Sequence, residues 1–315
     1  MEELLNGYFL QVFVFICINI ILALTIYMTL CTGLVSLGNA GFMSFGAYTS
    51  AILAMKMDVP MPLSILCGGI VAAAVALVIG LPTIRLRGLY LAIATLGFGE
   101  VVRVIALNMK ITNGALGLSG IPSMASALSD YASDMGLIDA LGLDSQTAGQ
   151  LLMCIVLLIL VVAIFYFWYK LEHSRVGRAF AAVKADEYAA SLSGINVVYY
   201  KMMAFLFSSF FAGVAGALYA HATYFISPTD FTWHKVVDML LYTVFGGSNV
   251  MWGPLLGATV LTIVPESLRA MSEYRDIIYG IMLVALMGFR PDGILSYDAV
   301  KYIARVFRKS PKGGK

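Results

Sequence analysis

The chain reads as long apolar runs separated by short charged ones. No charged residue lies between Glu3 and Lys56, a stretch of about 50 residues where one membrane-spanning helix needs about 20. Two crossings fit there, Tyr8–Leu30 and Gly33–Met55, divided at Cys31, Thr32 and Gly33. Uncharged runs between Asp58 and Arg85, Asp144 and Lys170, and Lys201 and Asp230 are each long enough for one more helix. A further helix, Gly88–Leu107, is interrupted by Glu100 and Arg103. Near the C-terminus the run from Met239 to Pro265 is split by Gly246, Gly247 and Gly253-Pro254, and another, Ile277–Phe289, follows. Three segments are read there, the first, near Val236–Val250, too short for an ordinary span. The pattern predicts an all-α integral membrane protein, a polytopic helical bundle of about nine segments with broken helices, as a single domain over residues 1–315.

Composition removes the alternative of a water-filled exterior. With 60% hydrophobic and 12% charged residues in 315, the chain has about half the charge of a soluble domain. A net charge of +2 gives no reason to expect a nucleic-acid partner; lipid is the expected surroundings. The opening MEELLNGY lacks a basic n-region, so no cleaved leader is expected. Basic residues near span ends mark the cytoplasmic side. They cluster at Arg85 and Arg87, in the loop at about 170–201, and in a tail at about 290–315 carrying Lys301, Arg305, Arg308, Lys309, Lys312 and Lys315. The loop at about 108–150 holds Lys110 against Asp130, Asp134, Asp139 and Asp144, which suits the outer side. Counting crossings places the N-terminus outside and the C-terminus in the cytoplasm. Cys17, Cys31, Cys67 and Cys154 lie in apolar stretches and read as small buried hydrophobes.

Two segments are rich in small residues: GLVSLGNAGFMSFGAYTSAI from Gly33 and VFGGSNVMWGPLLGATVL from Val244. Glycine and proline clusters break membrane helices where the freed backbone is buried or faces water, and a similar break in both halves is the mark of an internally repeated transporter. Ordinary close packing explains the same spacing, so an internal repeat stays open here. Asn39, Ser44, Tyr48 and Asn249 are candidate translocation-path or helix-break residues. Glu100 and Arg103, three residues apart on one helix face, can pair within the membrane; a proton relay through Glu100 is the sharper reading and a structural ion pair the plainer one. His173, His221 and His234 are scattered without metal-like spacing, so neither a metal site nor an enzyme is expected. In the loop EHSRVGRAFAAVKADEYAASLSGINVVYYK a short amphipathic helix is expected near Ala179–Leu192, stopped at Gly194. Its Ala-rich face could lie on lipid or dock in a cleft of a cytoplasmic partner.

At this loop the sequence resembles a known family. Asp186-Glu187-Tyr188-Ala189-Ala190 followed by Gly194-Ile195-Asn196 is similar to the Glu-Ala-Ala loop of ABC-importer permeases. The stretches LPTIRLRGLYLAIATLGFGEVVR (81–103), ITNGALGLSGIP (111–122), SRVGRAFAAVKADEYAASLSGIN (174–196) and FRPDGIL (289–295) resemble LivM-type permeases of branched-chain amino acid importers. SLGNAGFMSFGAYTSA (36–51) fits these and their LivH-type partners. The resemblance implies a permease subunit in the bacterial inner membrane that carries leucine, isoleucine and valine delivered by an external binding protein. Its implied partners are a second, LivH-type permease and two cytoplasmic ATP-binding subunits, which use ATP and Mg. Asp186, Glu187, Ala189, Ala190 and Gly194 would form the coupling helix and its turn. Tyr188 after the glutamate departs from the general importer pattern and shifts the two alanines by one place. The chain has no Gly-rich loop ending in Gly-Lys-Ser or Gly-Lys-Thr, so no cofactor of its own is expected. Related permeases carry urea or short amides, a second substrate reading, and a proton-coupled secondary transporter is the alternative of another class.

Overall fold

A computed structural model describes residues 7–86, 88–134 and 145–267, together with Gly280 and Val284. Arg87, the expected tail at 290–315 and all but two residues of the expected segment at 277–289 lie outside the described residues. The described helices are α1 (Gly7–Leu30), α2 (Asn39–Lys56), α3 (Met61–Thr83), α4 (Leu89–Asn108), α5 (Met124–Asp134), α6 (Ser145–Glu172), α7 (Arg175–Ala185), α8 (Glu187–Leu192), α9 (Val197–Thr223), α10 (Trp233–Gly246) and α11 (Trp252–Ser267). By length and composition α1, α3, α4, α6 and α9 can each cross a membrane. The chain is thus a helical membrane protein with several apolar helices.

α1 is the axis of the bundle. It is apolar on every side, and Ile16 through Thr29 are buried without interruption, as expected of a helix surrounded by protein rather than lipid. α6, α9, α10 and α11 pack around it. α9 also crosses α2 and α3, and there glycine is a steric requirement. A Cβ on Gly216 would sit 2.0 Å from the carbonyl oxygen of Met43, and one on Gly46 would sit 2.0 Å from that of Gly213. Such contacts let backbones touch and replace the hydrophobic drive that lipid does not provide.

Tyr27 Oη donates to Glu172 Oε1 at 3.2 Å, so α1 and α6 finish at the same end of the bundle, beside α7 and α8. This is the loop end. α2 begins at Asn39, not at Gly33 as expected. Residues 31–38 are non-helical and turn back into the bundle, with Thr32, Leu34 and Ser36 buried and the Leu37 N–H donating to Thr95 Oγ1 at 2.9 Å. Unwound backbone survives at membrane depth only inside protein.

A second re-entry comes from the far end. After α9, Leu118 and Ser119 pair antiparallel with Ile226 and Phe225. Ser227 and Asp230 form a capping box, and Phe231 is buried against Tyr48 and Tyr219, with ring centroids 5.9 and 6.4 Å away. α10 then starts beside the middle of α1, where Lys235 Nζ donates to Asn19 Oδ1 at 3.2 Å. At 14 residues it is about 21 Å long, short of a bilayer core of about 30 Å. The C-terminal glycine cluster splits the run Met239–Pro265 as expected, between Gly246 and Trp252. It makes the turn and close contact of a helical hairpin: a Cβ on Gly246 would lie 1.8 Å from Gly253 O, and one on Gly257 1.9 Å from Tyr242 O. The loop expected at 108–150 also contains structure. α5 is started by Ser123, whose Oγ accepts from the Ser126 N–H at 3.1 Å, and packs on α6.

Candidate functional site: the loop between α6 and α9

α7 begins at Ser174, whose Oγ accepts from the Val176 N–H at 3.1 Å, relieving one unpaired donor of the first turn. Gly177, Ala179, Phe180 and Val183 are buried; Arg175, Arg178 and Lys184 are exposed. The single helix expected over Ala179–Leu192 is two helices. Asp186 is extended, at φ −159° and ψ 115°, and its carboxylate accepts from the N–H groups of Tyr188 (2.8 Å) and Ala189 (3.1 Å). A capping aspartate both ends α7 and starts α8, and this local competition outweighs the helix-forming alanines on either side.

α8 closes where the sequence says it should. Gly194 has φ +82°, its N–H donates to Ser191 O at 3.0 Å, and the Ile195 N–H donates to Ala190 O at 3.0 Å, the Schellman pairing. Gly194→Ala would force a Cβ into left-handed backbone at a cost of about 1 kcal/mol. It is expected to speed limited proteolysis of the loop a few-fold without altering the yield of folded protein.

The faces of α8 divide its residues. Ala190 is buried at 4% exposure, so it seats the helix. Glu187 forms an ion pair with Lys201 Nζ on α9; the lysine side chain is 5% exposed and the glutamate 38%. Tyr188 (66% exposed) and Leu192 (89% exposed) lie one helical turn apart, beside exposed Ala189. An aromatic and a leucine exposed on the same face of a short anchored helix form an apolar knob. Neither the Glu187–Lys201 anchor nor the outward role of Leu192 was legible from the spacing.

Of the other expected residues, the loop gathers one. Asn249, in the turn between α10 and α11, accepts from Lys184 Nζ at 3.2 Å, and Gly33 lies under the same lysine. α7 therefore rests on both the re-entrant segment before α2 and the hairpin turn. Asn39 is elsewhere, 1% exposed, donating to Thr25 Oγ1 (2.7 Å) and Ser208 Oγ (3.2 Å), which ties α1, α2 and α9 together. Ser44 and Tyr48 are also buried along α2. Glu100 and Arg103 pair at 2.7 Å on α4, apart from the loop. His221, read only as scattered, is fully buried: its Nε2 lies 2.9 Å from Ser50 Oγ and its Nδ1 2.8 Å from Pro122 O.

Residues 8–287 match the family described as branched-chain amino acid transport system / permease component. Over 272 residues, 84% of this chain, the sequence is 35% identical to the high-affinity branched-chain amino acid transport system permease protein LivM of Escherichia coli strain K12 and to that of Salmonella typhimurium strain LT2. It spans 64% of the length of those relatives. Over 163 residues, half of this chain and 51% of the relative, it is 29% identical to the permease protein LivH of E. coli K12. No solved structure matches. A match that takes in nearly every described helix and the whole loop from α6 to α9 establishes that the chain belongs to the family of branched-chain amino acid transport permease components.

Proposed function

We propose that this chain is a LivM-type permease subunit of an ATP-driven importer, moving leucine, isoleucine and valine from an external binding protein to the cytoplasm. It works beside a second, LivH-type permease and two ATPase subunits that hold ATP and Mg; the chain itself holds no catalytic group. The bundle is one domain of about nine segments in the inner membrane, N-terminus outside and the loop end with the basic tail inside. The two re-entries, one from each end before α2 and before α10, support an inverted internal repeat. One observation carries the reading above the others: α8, anchored by Glu187 and capped by Asp186 and Gly194, presents the largely exposed side chains of Tyr188 and Leu192. ATP-driven closure of the ATPase pair moves this knob, and α7 passes the movement to the segment before α2 and to the α10–α11 hairpin.

The test is uptake by the complex reconstituted with both permeases, the ATPase subunits and loaded binding protein. Tyr188→Glu with Leu192→Glu is expected to lower ATP-driven leucine uptake at least about tenfold, since two buried hydrophobic contacts become charges without partners. The amount of folded permease should not change, because both side chains are mostly exposed, at 66% and 89%. Undiminished uptake in the double variant, or uptake by this chain alone without ATP, overturns the reading.

A further inference from the structure

α4 stands at the margin of the bundle. Its buried positions, Leu91, Ala92, Thr95, Gly99, Val102 and Ala106, make one face. The opposite face is bare: Tyr90, Ile93, Val101, Val104 and Ile105 are 47–76% exposed. Exposure alone says little, since α3 bares Leu66, Ile70 and Val78, and α6 bares Leu158, Ile159 and Val162, as helices against lipid do. Two features set the α4 face apart. Gly97 is exposed in its middle, and a Cβ there would meet nothing within 4 Å, whereas every other glycine of α1, α3, α4, α6 and α9 has an atom within that distance. The Glu100–Arg103 pair borders the same face, with side chains 32% and 26% exposed. Glu100 lies eight residues from the end of α4 at Asn108 and farther from Leu89, about 12 Å of helix inside a bilayer core of about 30 Å. The pair's hydrogen bond, from Arg103 Nε to Glu100 Oε2 at 2.7 Å, leaves most of the guanidinium donors unused among the described residues. Charged groups at this depth face protein or a water-filled space, because lipid offers them no partner. An open glycine in a membrane helix is where another helix can come close.

We infer that this face of α4 is the surface on which the chain packs against the second permease. A membrane-spanning helix of that subunit crosses at Gly97, between Ile93 and Val101, and sets an uncharged hydrogen-bonding side chain against the Glu100–Arg103 pair. The inference rests on the transport reading above, which supplies the second permease, and deepens it by giving that partner its surface. A second copy of this chain fits less well: a two-fold contact through α4 would bring two Glu100–Arg103 pairs together at membrane depth, doubling the charge that needs cover.

The test keeps both permeases, with a different tag on each, and the ATPase subunits in the membrane. Benzoylphenylalanine, a photoreactive residue, is placed in turn at Val101 on α4, Val78 on α3 and Ile159 on α6, which are 57%, 68% and 63% exposed. Light is expected to join the two tags in one adduct from Val101 and not from Val78 or Ile159. Gly97→Leu fills the notch and should lower the amount of second permease recovered with this chain at least about tenfold, as overpacking a close contact does. In the chain produced without its partner the same variant should keep the wild-type yield and melting profile, because the position is open there. Val78→Phe should keep the second permease. No adduct from Val101, equal adducts from all three positions, adducts between two copies of this chain, or full recovery of the second permease with Gly97→Leu overturns the inference. Co-purification with the wild-type chain separates the two readings. A second permease that stays with the wild type but ignores α4 rejects this surface alone, whereas one that never joins it removes the pairing and the inference with it.

Discussion

Gly216→Val removes the folded protein from the detergent-soluble fraction, while Gly97→Val leaves its yield and elution profile unchanged. The two positions share chemistry and differ in surroundings. A Cβ on Gly216 would lie 2.0 Å from Met43 O and 3.0 Å from Met43 Cα, all backbone, whereas nothing lies within 4 Å of one on Gly97. No rotamer change can relieve an overlap with backbone, so α9 must move away from α2. That movement also loosens the contacts of Gly213 with Gly46 and Gly68, where an added Cβ would meet a carbonyl oxygen at 2.0 and 2.9 Å. Overpacking in a core costs about 1–3 kcal/mol; a backbone-to-backbone overlap at the hub of three helices is expected at or beyond the upper end, a large share of a net stability of about 5–15 kcal/mol. Fluorescence-detected size-exclusion chromatography of the two variants checks it. A monodisperse Gly216→Val peak of wild-type height would refute the close crossing.

The second large effect is expected at the anchor of α8. Glu187→Ala leaves the Lys201 ammonium, 5% exposed, without its counter-charge, whereas Glu187→Gln with Lys201→Met leaves no charge to satisfy. Removing one member of a buried pair costs about 3–5 kcal/mol. The glutamate is 38% exposed, so water compensates part of that, and about 1–3 kcal/mol remains. The cost falls on the docking of α8, because α9 is held by its other contacts. Limited proteolysis between α7 and α9 should therefore accelerate about tenfold or more in Glu187→Ala, each 1.4 kcal/mol being a factor of ten, and ATP-driven uptake should fall with it. The double variant should recover most of the protection. If Glu187→Ala is cut no faster than wild type, the ion pair does not seat the helix.

The sequence pattern located α1, α3, α4, α6 and α9 to within a few residues because lipid excludes charge and each of these helices lies in a run with little or none. Gly194 was equally legible, since a left-handed turn after a helix has few other residues to choose. The pairing of Glu100 with Arg103 followed from a spacing of three. What escaped depended on partners distant in the chain or on competition between local signals. Asp186 reads as one more polar residue in an Ala-rich helix until its carboxylate is seen holding two N–H groups. Glu187 and Lys201 are 14 residues apart on different helices. Asn39 reads from sequence as either a path-lining or a helix-break residue, and its hydrogen-bond partners Thr25 and Ser208 come from α1 and α9, which no local pattern encodes. The depth reached by residues 31–38 and 224–232 depends on the bundle around them, and no local periodicity encodes it.

The hydrogen bonds of His221 set a timetable for synthesis. Its partners Ser50, Ser64 and Pro122 precede it by 171, 157 and 99 residues. At about 5–20 residues per second of translation, α2 and α3 stay in the membrane for roughly 5–35 s before α9 emerges. Throughout that interval the faces of Gly46 and Gly68 lack their natural cover, and the Ser50 and Ser64 hydroxyls have only each other and the nearby backbone. The ribosome, rather than the bilayer, decides when this bundle can close.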